Sequence, residues 1–326
     1  MTLITYTIRR LIIIVPTFFL ISIVIFTLIH LAPGDPISIM AANNPLRLNQ
    51  TVIDKLRVEY GLNEPIYVQY LVWIGKLFKG DLGFSYVHNK PVIKMISIRV
   101  PRTLELMIIV QAVSLILAVI LGVVSAVKQY SLTDALAKVG ALIGYSAPSF
   151  WLGLIGIIVF AGYLKWLPPF GAQTGGVLYP TIFHVWFDHF KHLLLPVSIL
   201  SFGWMAYLLR LVRSSMLEVL RSDYILTARA KGLSERVVIY KHALRNALLP
   251  VVTYEGYAVG FLLGGAAVIE SVFTWPGLGQ FMVLAATGRD FPTLMGLSMI
   301  ITLMVLISNL IADLTYGIID PRIRYD

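Results

Sequence analysis

Three side chains that could bind a metal recur at helical spacing in the second half of the chain. His184, Asp188 and His192 follow one another at intervals of four residues, so on a helix they would share one face. Imidazole and carboxylate groups are ligands of Zn²⁺, Ni²⁺ and similar ions. Trp186 and Phe187 lie between them, which suits a helix at the membrane–water interface. We predict the interfacial helix with no bound metal, and keep the three residues as an alternative metal site.

A second reactive group is the carboxyl of Glu255, which lies within an apolar segment. A charged side chain in a membrane costs roughly 3 kcal/mol unless it faces a partner or a watery cavity. Glu255 could carry protons in a secondary transporter, or pair locally near the end of its helix. Gly256, Gly260 and Gly264 follow at four-residue intervals, so this helix has one face on which another helix or a substrate path can approach closely.

Several classes of chemistry are excluded by residues that the sequence lacks. With no cysteine, the chain has no disulfide, thiolate nucleophile, iron–sulfur cluster or cysteine-based zinc site. It has no G-x-x-x-x-G-K-[ST] segment to bind a nucleotide, and no H-E-x-x-H or G-x-S-x-G segment for hydrolysis. We therefore predict that the chain catalyses no reaction and takes energy from another polypeptide or from an ion gradient. An intramembrane enzyme is the least favoured alternative.

The elements that must position these groups are membrane-spanning helices. Of the 326 residues, 58% are hydrophobic and only 13% are charged, far from the composition of a soluble domain. Mean hydropathy is +0.81. Uncharged runs long enough to span a bilayer predict an all-α integral membrane protein with six transmembrane helices. These runs cover about 11–34, 106–127, 139–164, 192–209, 246–269 and 291–312. Residues 1–32 are predicted to form an uncleaved signal-anchor helix.

The distribution of basic residues predicts the orientation in the membrane. Six spans place both termini on one side, and the formal net charge is +9. Short loops on the opposite side carry only Lys165, Lys191 and Arg289. The basic residues on the side of the termini are Arg9, Arg10, Lys128, Lys138, Arg210, Arg213, Arg221, Arg229, Lys231, Arg236, Lys241, Arg245, Arg322 and Arg324. By the positive-inside rule both termini are cytoplasmic, in a multi-pass protein of the inner or plasma membrane. We therefore interpret the positive net charge as a determinant of membrane topology and of contact with membrane lipid, and not as a sign of nucleic-acid binding.

Two connections are too long to be turns. Residues 33–102 predict a small external helical subdomain, with one amphipathic stretch after Thr51 and another after Pro65. The apolar face of the second stretch consists of Tyr67, Tyr70, Leu71, Ile74, Leu77 and Phe78. The remaining residues, 103–326, then form a five-helix core that includes a folded cytoplasmic loop over 213–245.

Two proline-containing segments predict changes of chain direction. Pro148 predicts a kink in the third span, and Gly140 and Gly144 predict a face on which another helix or a substrate path can approach closely. After the fifth span, Trp275, Pro276 and Gly277 predict either a re-entrant turn near the outer gate or a plain tight turn.

The cytoplasmic loop predicts a short helix between two spans. Asp223 favours a helix start, Lys231 favours its end, and Gly232 supplies the left-handed residue that stops it. Ser234 can cap a second helix that continues into the fifth span. A helix held in this way could transmit motion from a soluble partner to the spans. From the residues alone, a solvated basic loop on anionic lipid is the competing interpretation.

The loop resembles a known family. Residues 225–233 and 242–250 are similar to the coupling loop of ABC importer permeases, specifically the B-type subunit of the dipeptide/oligopeptide/nickel family. Ala228 and Gly232 match the core of the general motif, whereas Leu226 stands where that motif has glutamate and Arg245 where it has proline. Both departures resemble the peptide-importer version. Further segments similar to the family are 30–36, 80–83, 101–106, 146–151, 269–279 and 320–325.

The resemblance implies an ATP-driven importer in which this chain forms half of the path. Its implied partners are a second homologous permease subunit, two ATPase subunits that bind ATP and Mg²⁺, and an extracytoplasmic binding protein that delivers di- or oligopeptides. The residues implied to contact the ATPase are Asp223, Tyr224, Ala228, Arg229, Ala230, Lys231, Gly232 and Leu233. Nickel chelates or oligosaccharides are alternative cargoes within the family, and a proton-coupled transporter using Glu255 is the alternative outside it.

Overall fold

The computed structural model describes residues 3–31 and 63–319, with side chains described throughout except at 3–6, 256–266 and 315–319. Within these residues the chain is helical and has no strand, apart from one isolated antiparallel bridge between Phe84 and Pro91. The prediction of a mostly helical protein is confirmed. The amphipathic stretch predicted after Thr51 lies outside the described residues.

Twelve α-helices and two π-helical segments follow one another along the described ranges. We number them α1 (Leu3–Leu31), α2 (Ile66–Phe78), α3 (Val92–Val127), α4 (Leu132–Ser146), α5 (Ser149–Gly156), π1 (Ile157–Tyr163), α6 (Ile182–Leu220), α7 (Asp223–Ala230), α8 (Glu235–Val237), π2 (Val238–Ala243), α9 (Leu244–Ala247), α10 (Leu249–Val272), α11 (Leu278–Thr287) and α12 (Phe291–Ile319).

Four stretches with described side chains are long and apolar enough to cross a membrane by themselves. They are 7–31 in α1, all of α3, all of α6, and 291–314 in α12. The pair α4 and α5–π1 adds a fifth if the two arms together make one span. Helix α10 occupies the fifth span predicted from the sequence. Its side chains at 256–266 are not described, so this helix is not included in the count.

The third predicted span is sharply bent. The axes of α4 and α5–π1 differ by 103° at the break between Ser146 and Ser149. Pro148 disfavours helical backbone at the residue before it, and Ala147 accordingly takes an extended conformation with φ −78° and ψ 130°. A change of direction at Pro148 is confirmed, but it is a break between two helices rather than a kink in one.

The chain divides into two compact units. The first comprises Met1–Arg102, Gly277–Ile307 and Tyr325–Asp326. Its core combines buried side chains from the start of α3, from α11 and from α12, including Ile96, Phe281 and Leu297. In the N-terminal part of this unit, α2 packs on α1, and the hydroxyls of Ser22 and Tyr70 lie 2.8 Å apart.

A buried carboxylate organises the first unit. Asp290 accepts hydrogen bonds from Ser85 Oγ, from the Tyr86 amide at 3.0 Å and from Thr293 Oγ1 at 2.7 Å. It thereby joins the loop after α2 to the start of α12. Because each donor compensates part of the cost of burying the charge, Asp290 can remain almost fully enclosed.

The second unit comprises Thr103–Pro276 and Ser308–Arg324. Its largest core packs α6 against α3, α7, π2, α9 and α10. Gly144 lies close to α6, where a Cβ on this glycine would come within 2.9 Å of the Phe202 carbonyl oxygen. The predicted close packing is therefore found at Gly144, where it brings α4 directly onto α6. It is not found at Gly140, where a Cβ would meet no atom within 4 Å in the described part of the chain beyond its own surroundings on α4.

Candidate functional site

Helix α7 has the ends that its charges predict. Asp223 occupies its first turn and Arg229 its last, Lys231 forms the C-cap, and Gly232 follows with φ +76°. The amide of Gly232 donates to the Arg229 carbonyl at 2.9 Å. A left-handed residue at this point ends the helix and turns the chain toward α8.

One face of α7 is fully packed. Ile225 and Ala228 are buried in the core of the second unit together with Val238 and Ala243 of π2 and Ala247 of α9. The small side chains at 228, 243 and 247 allow the backbones to approach closely. Helix α7 is therefore attached to the helical segments before and after it, and is not a solvated loop.

Two polar contacts fix α7 at its ends. The Asn246 side-chain amide donates to the Tyr224 hydroxyl at 2.8 Å, which joins the first turn of α7 to α9. Arg229 forms a two-pronged ion pair with Glu235, with distances of 2.8 and 3.3 Å. This pair is exposed, so we attribute to it less than about 1 kcal/mol, and the apolar face remains the main attachment.

Apolar side chains are exposed on α7, on the turn after it, and on α8 and π2. Leu226 is 53% exposed and Tyr240 is 57% exposed, and Leu233 and Val237 are also exposed. Ala230 and Lys231 lie at the exposed end of the same helix. We call Leu226, Leu233, Val237 and Tyr240 the α7 surface. Apolar side chains grouped beside basic residues are typical of a protein interface.

Glu255 lies in α10 next to three aromatic side chains. The Trp204 ring centroid is 6.0 Å from that of Tyr254, and the Tyr207 and Tyr254 rings stack at 4.4 Å. The Trp204 indole approaches the Glu255 carboxyl as a hydrogen-bonding neighbour. Within the described residues, however, Glu255 Oε1 and Trp204 Nε1, both buried, do not complete a hydrogen bond of normal geometry. The side-chain surroundings of Gly256, Gly260 and Gly264 are not described. The role in helix packing or in a substrate path predicted for these glycines therefore stays a prediction.

The segment proposed as an outer gate is tightly held in the second unit up to Pro276. Trp275 is fully buried, its ring lies 5.6 Å from His189, and its amide donates to the Glu270 carbonyl at 2.7 Å. The buried Glu270 carboxyl accepts a hydrogen bond from Thr103 Oγ1 at 2.8 Å. Gly277 caps the start of α11. A gate role for Trp275, Pro276 and Gly277 stays a prediction.

Each candidate metal ligand has a hydrogen-bond partner, and two of the ligands also contact each other, with 3.6 Å between His192 Nδ1 and Asp188 Oδ2. His184 Nδ1 lies 2.8 Å from Thr181 Oγ1, and Asp188 accepts hydrogen bonds from the amide and the hydroxyl of Thr174. His192 Nδ1 lies 2.9 Å from the Asp188 carbonyl oxygen. In the portion of the chain that the structure describes, no three His, Asp or Glu side chains converge on a point that could hold a metal ion.

The structure also joins residues that the sequence did not single out. Asp134, completely buried, accepts from Arg213 Nε at 2.8 Å and from Ser125 Oγ at 2.6 Å, which ties α4 to α6 and α3. Near the start of α6, His189 Nε2 lies 2.6 Å from Glu105 Oε1. Long-range pairs of this kind leave no periodic signal in one sequence. An isolated acid next to an apolar run is the only hint that Asp134 gives.

Comparison with solved structures gives the class of fold. Over 69% of this chain and 96% of the other, it superposes with a TM-score of 0.55 and 17% identity on a chain of the MetNI methionine ABC transporter in an inward-facing conformation. A chain of an amino acid ABC transporter with histidines gives a TM-score of 0.50 at 14% identity, over 68% of this chain and 93% of that one. The fold is thus one found in ABC transporters.

Sequence comparison gives the family. Residues 118–325 match the family described as binding-protein-dependent transport system inner membrane component, and residues 3–107 match its N-terminal region. The oligopeptide transport system permease protein AppB of Bacillus subtilis is 43% identical over 98% of this chain and 99% of its own length. The dipeptide transport system permease protein DppB of Alkalihalophilus pseudofirmus is also 43% identical, over 99% of this chain and all of its own length.

This chain belongs to the binding-protein-dependent transport system inner membrane component family. It is a multi-pass transport protein of the inner membrane, and the resemblance to ABC importer permeases of the peptide family is confirmed. The proton-coupled transporter is correspondingly disfavoured.

Proposed function

We propose that the chain is the permease subunit of an ATP-driven importer that carries di- or oligopeptides inward. The observation that carries this proposal is helix α7, which is packed into the second unit on one face and uncovered on the other. Relatives support the proposal as well, because proteins that are 43% identical over nearly their full length are named as oligopeptide and dipeptide transport permeases. Nickel chelates and oligosaccharides are the cargoes that a substrate test must separate from peptides.

The proposed assembly contains several further chains. A second homologous permease subunit forms the other half of the path, two ATPase subunits bind ATP and Mg²⁺, and an extracytoplasmic binding protein delivers the substrate. This chain contributes six spans with both termini in the cytoplasm. Residues 1–32 form the anchor helix, 33–102 the external subdomain, and 103–326 the core with the coupling loop 213–245.

The proposed mechanism follows from what α7 contacts. The ATPase pair binds the α7 surface, with Asp223, Tyr224, Arg229, Ala230 and Lys231 at its edge. When ATP closes the pair, force on α7 passes through Ile225 and Ala228 into α6, π2 and α9. ATP binding then favours one arrangement of the spans, and hydrolysis releases it.

Replacement of Leu226 by aspartate tests the docking surface. A buried unpaired charge would weaken ATPase binding by about 2–5 kcal/mol if Leu226 becomes covered. We expect the variant to insert normally but to lose ATPase subunits on affinity purification from membranes. Leu226→Met, which keeps an apolar side chain of similar size, is the matched control and retains them. Equal recovery of ATPase subunits with Leu226→Asp would refute this docking surface.

Transport by the purified complex tests the substrate and the energy source. In proteoliposomes with internal ATP, we expect uptake of radiolabelled trialanine that stops when ATP is replaced by ADP and persists when the proton gradient is collapsed. Nickel–histidine and a trisaccharide, offered with the same binding protein, should enter at background rates. Uptake that follows the proton gradient instead would refute the ATP-driven mechanism.

A further inference from the structure

The Glu255 carboxyl is placed where a cationic ligand would stabilise it. Its Oε1 atom is shielded from solvent and has neither a hydrogen bond nor an ion pair within the described part of the chain. Burial without a partner is expensive for a carboxylate, so such groups in membrane proteins usually face a functional path. Trp204 Nε1 is buried as well and lies beside this carboxyl without completing a hydrogen bond of normal geometry.

Aromatic rings lie beside Glu255. Tyr254 contacts both Trp204 and Tyr207, with ring centroids 6.0 and 4.4 Å apart. The rings come from α6 and α10. Aromatic faces attract organic cations, and a carboxylate beside them adds a direct ion pair. Together these groups offer a carboxylate and aromatic faces that suit an ammonium group.

Part of the aromatic cluster is exposed in the isolated chain. Tyr207 of α6 is 40% exposed and Tyr145 of α4 is 74% exposed, although the Glu255 oxygen itself is covered. The close contact between Gly144 and α6 brings the two tyrosine-bearing segments together. The carboxylate therefore lies near ring surface that the described part of the chain leaves uncovered.

We propose that Glu255, with Trp204, Tyr207 and Tyr254, binds the ammonium group at the amino terminus of a peptide on its way through the membrane. This inference rests on the proposed function and names one binding position in its path. A peptide ammonium that leaves water would otherwise cross the bilayer unpaired. A single carboxylate with aromatic neighbours binds it well enough to admit it and weakly enough to release it, as transport requires.

The test uses the complete complex with its binding protein in proteoliposomes, with trialanine as the probe because its amino terminus is its only ammonium group. We expect Glu255→Gln to lower kcat for uptake about tenfold or more, because the negative charge that pairs with the ammonium group is lost and only a weaker hydrogen bond to a neutral amide oxygen remains. Glu255→Asp keeps the charge and should restore most of the rate. Thr253→Val, one turn from the helix start and bonded only to its own helix, is the control and should transport normally.

Two further measurements separate binding from a structural role. Basal ATP hydrolysis and recovery of the assembled complex should be the same for Glu255→Gln and the unchanged chain. Trp204→Phe, which keeps a ring but removes the indole N–H, should lower kcat by a smaller factor of about two to five. A loss of rate in Glu255→Asp as large as that in Glu255→Gln would overturn the inference, and so would an unchanged rate in Glu255→Gln.

The source of the ammonium is distinguished with a second peptide, Ala-Lys-Ala. If Glu255→Gln slows Ala-Lys-Ala but not trialanine, the site recognises the lysine side chain and the assignment to the amino terminus is overturned. Uptake by the unchanged complex provides the separate control for the proposed function. If that complex fails to import trialanine, the proposed function fails, whereas normal uptake with an unaffected Glu255→Gln variant defeats only this inference.

Discussion

At the scale of single residues, Gly232 is constrained by backbone conformation rather than by space. Its φ is +76°, and within the described ranges no atom beyond its chain neighbours lies within 4 Å of the position that a Cβ would occupy. A side chain there would fit sterically but would hold the backbone in a conformation that costs about 1–2 kcal/mol for an L-residue.

Replacements of Gly232 should therefore follow conformational preference and not size. We expect Gly232→Asn to keep most transport, because asparagine tolerates the left-handed region, and Gly232→Val to lose most of it. Peptide uptake per assembled complex is the measurement. Similar activity in the two variants would mean that the left-handed turn is not what positions α7.

Asp134 supports a second prediction at this scale, on stability. Its side chain is fully buried and bonded to Arg213, which is 20% exposed, and its further ion pair with Lys138 involves a half-exposed amine. Breaking a buried pair by removing one partner costs about 3–5 kcal/mol, whereas an exposed pair is worth less than about 1 kcal/mol.

We expect Asp134→Ala to lower the melting temperature of the detergent-solubilised chain strongly and Lys138→Ala to leave it nearly unchanged. Asp134→Ala breaks the contacts with both Arg213 and Lys138, whereas Lys138→Ala breaks only the pair with the half-exposed amine, so their difference measures the buried contacts of Asp134. Comparable melting temperatures would show that the contact between Asp134 and Arg213 contributes little to holding α3, α4 and α6 together.

At the scale of elements, the break at Pro148 determines the path of the third predicted span. A straight helix rises about 1.5 Å per residue, so positions 136 and 154 would be ~27 Å apart if α4 and α5 were continuous. With a 103° bend the two positions are considerably closer.

Spin labels can measure this bend without background, because the chain has no cysteine. We expect labels attached at Leu136→Cys and Leu154→Cys to report a mean distance clearly below the straight-helix value in the assembled complex. In a variant that also carries Pro148→Ala, the distance between the two labels should increase. Alanine supplies the backbone amide that a continuous helix needs and removes the conformational restriction on Ala147. A straight-helix distance in the unchanged chain would contradict the bend.

At the scale of the whole molecule, the orientation in the membrane is a prediction that labelling can test. Gln173 and Thr227 are both exposed, the first in the connection before α6 and the second on α7. Positive-inside topology places residue 173 outside and residue 227 in the cytoplasm. We expect a membrane-impermeant maleimide added to intact cells to label Gln173→Cys and to spare Thr227→Cys until the membrane is opened. The reverse pattern would overturn the topology.

The sequence determined the features of this protein that arise from short-range physics. The apolar runs indicate helices that cross a membrane because unpaired backbone groups are not tolerated in lipid. The ends of α7 follow from Asp223, Lys231 and Gly232, since charges and left-handed residues act within one turn. The order of the family's segments was also readable from the sequence alone.

Only the tertiary structure decided features that depend on residues far apart in the chain. Helix α3 begins at Val92, well before its apolar run, because its first turns pack into the core of the first unit. The burial of Ala228 depends on π2 and α9, and the aromatic neighbours of Glu255 come from α6. Side-chain packing between distant segments leaves no periodic pattern in one sequence, so these contacts became visible only once the helices were assembled.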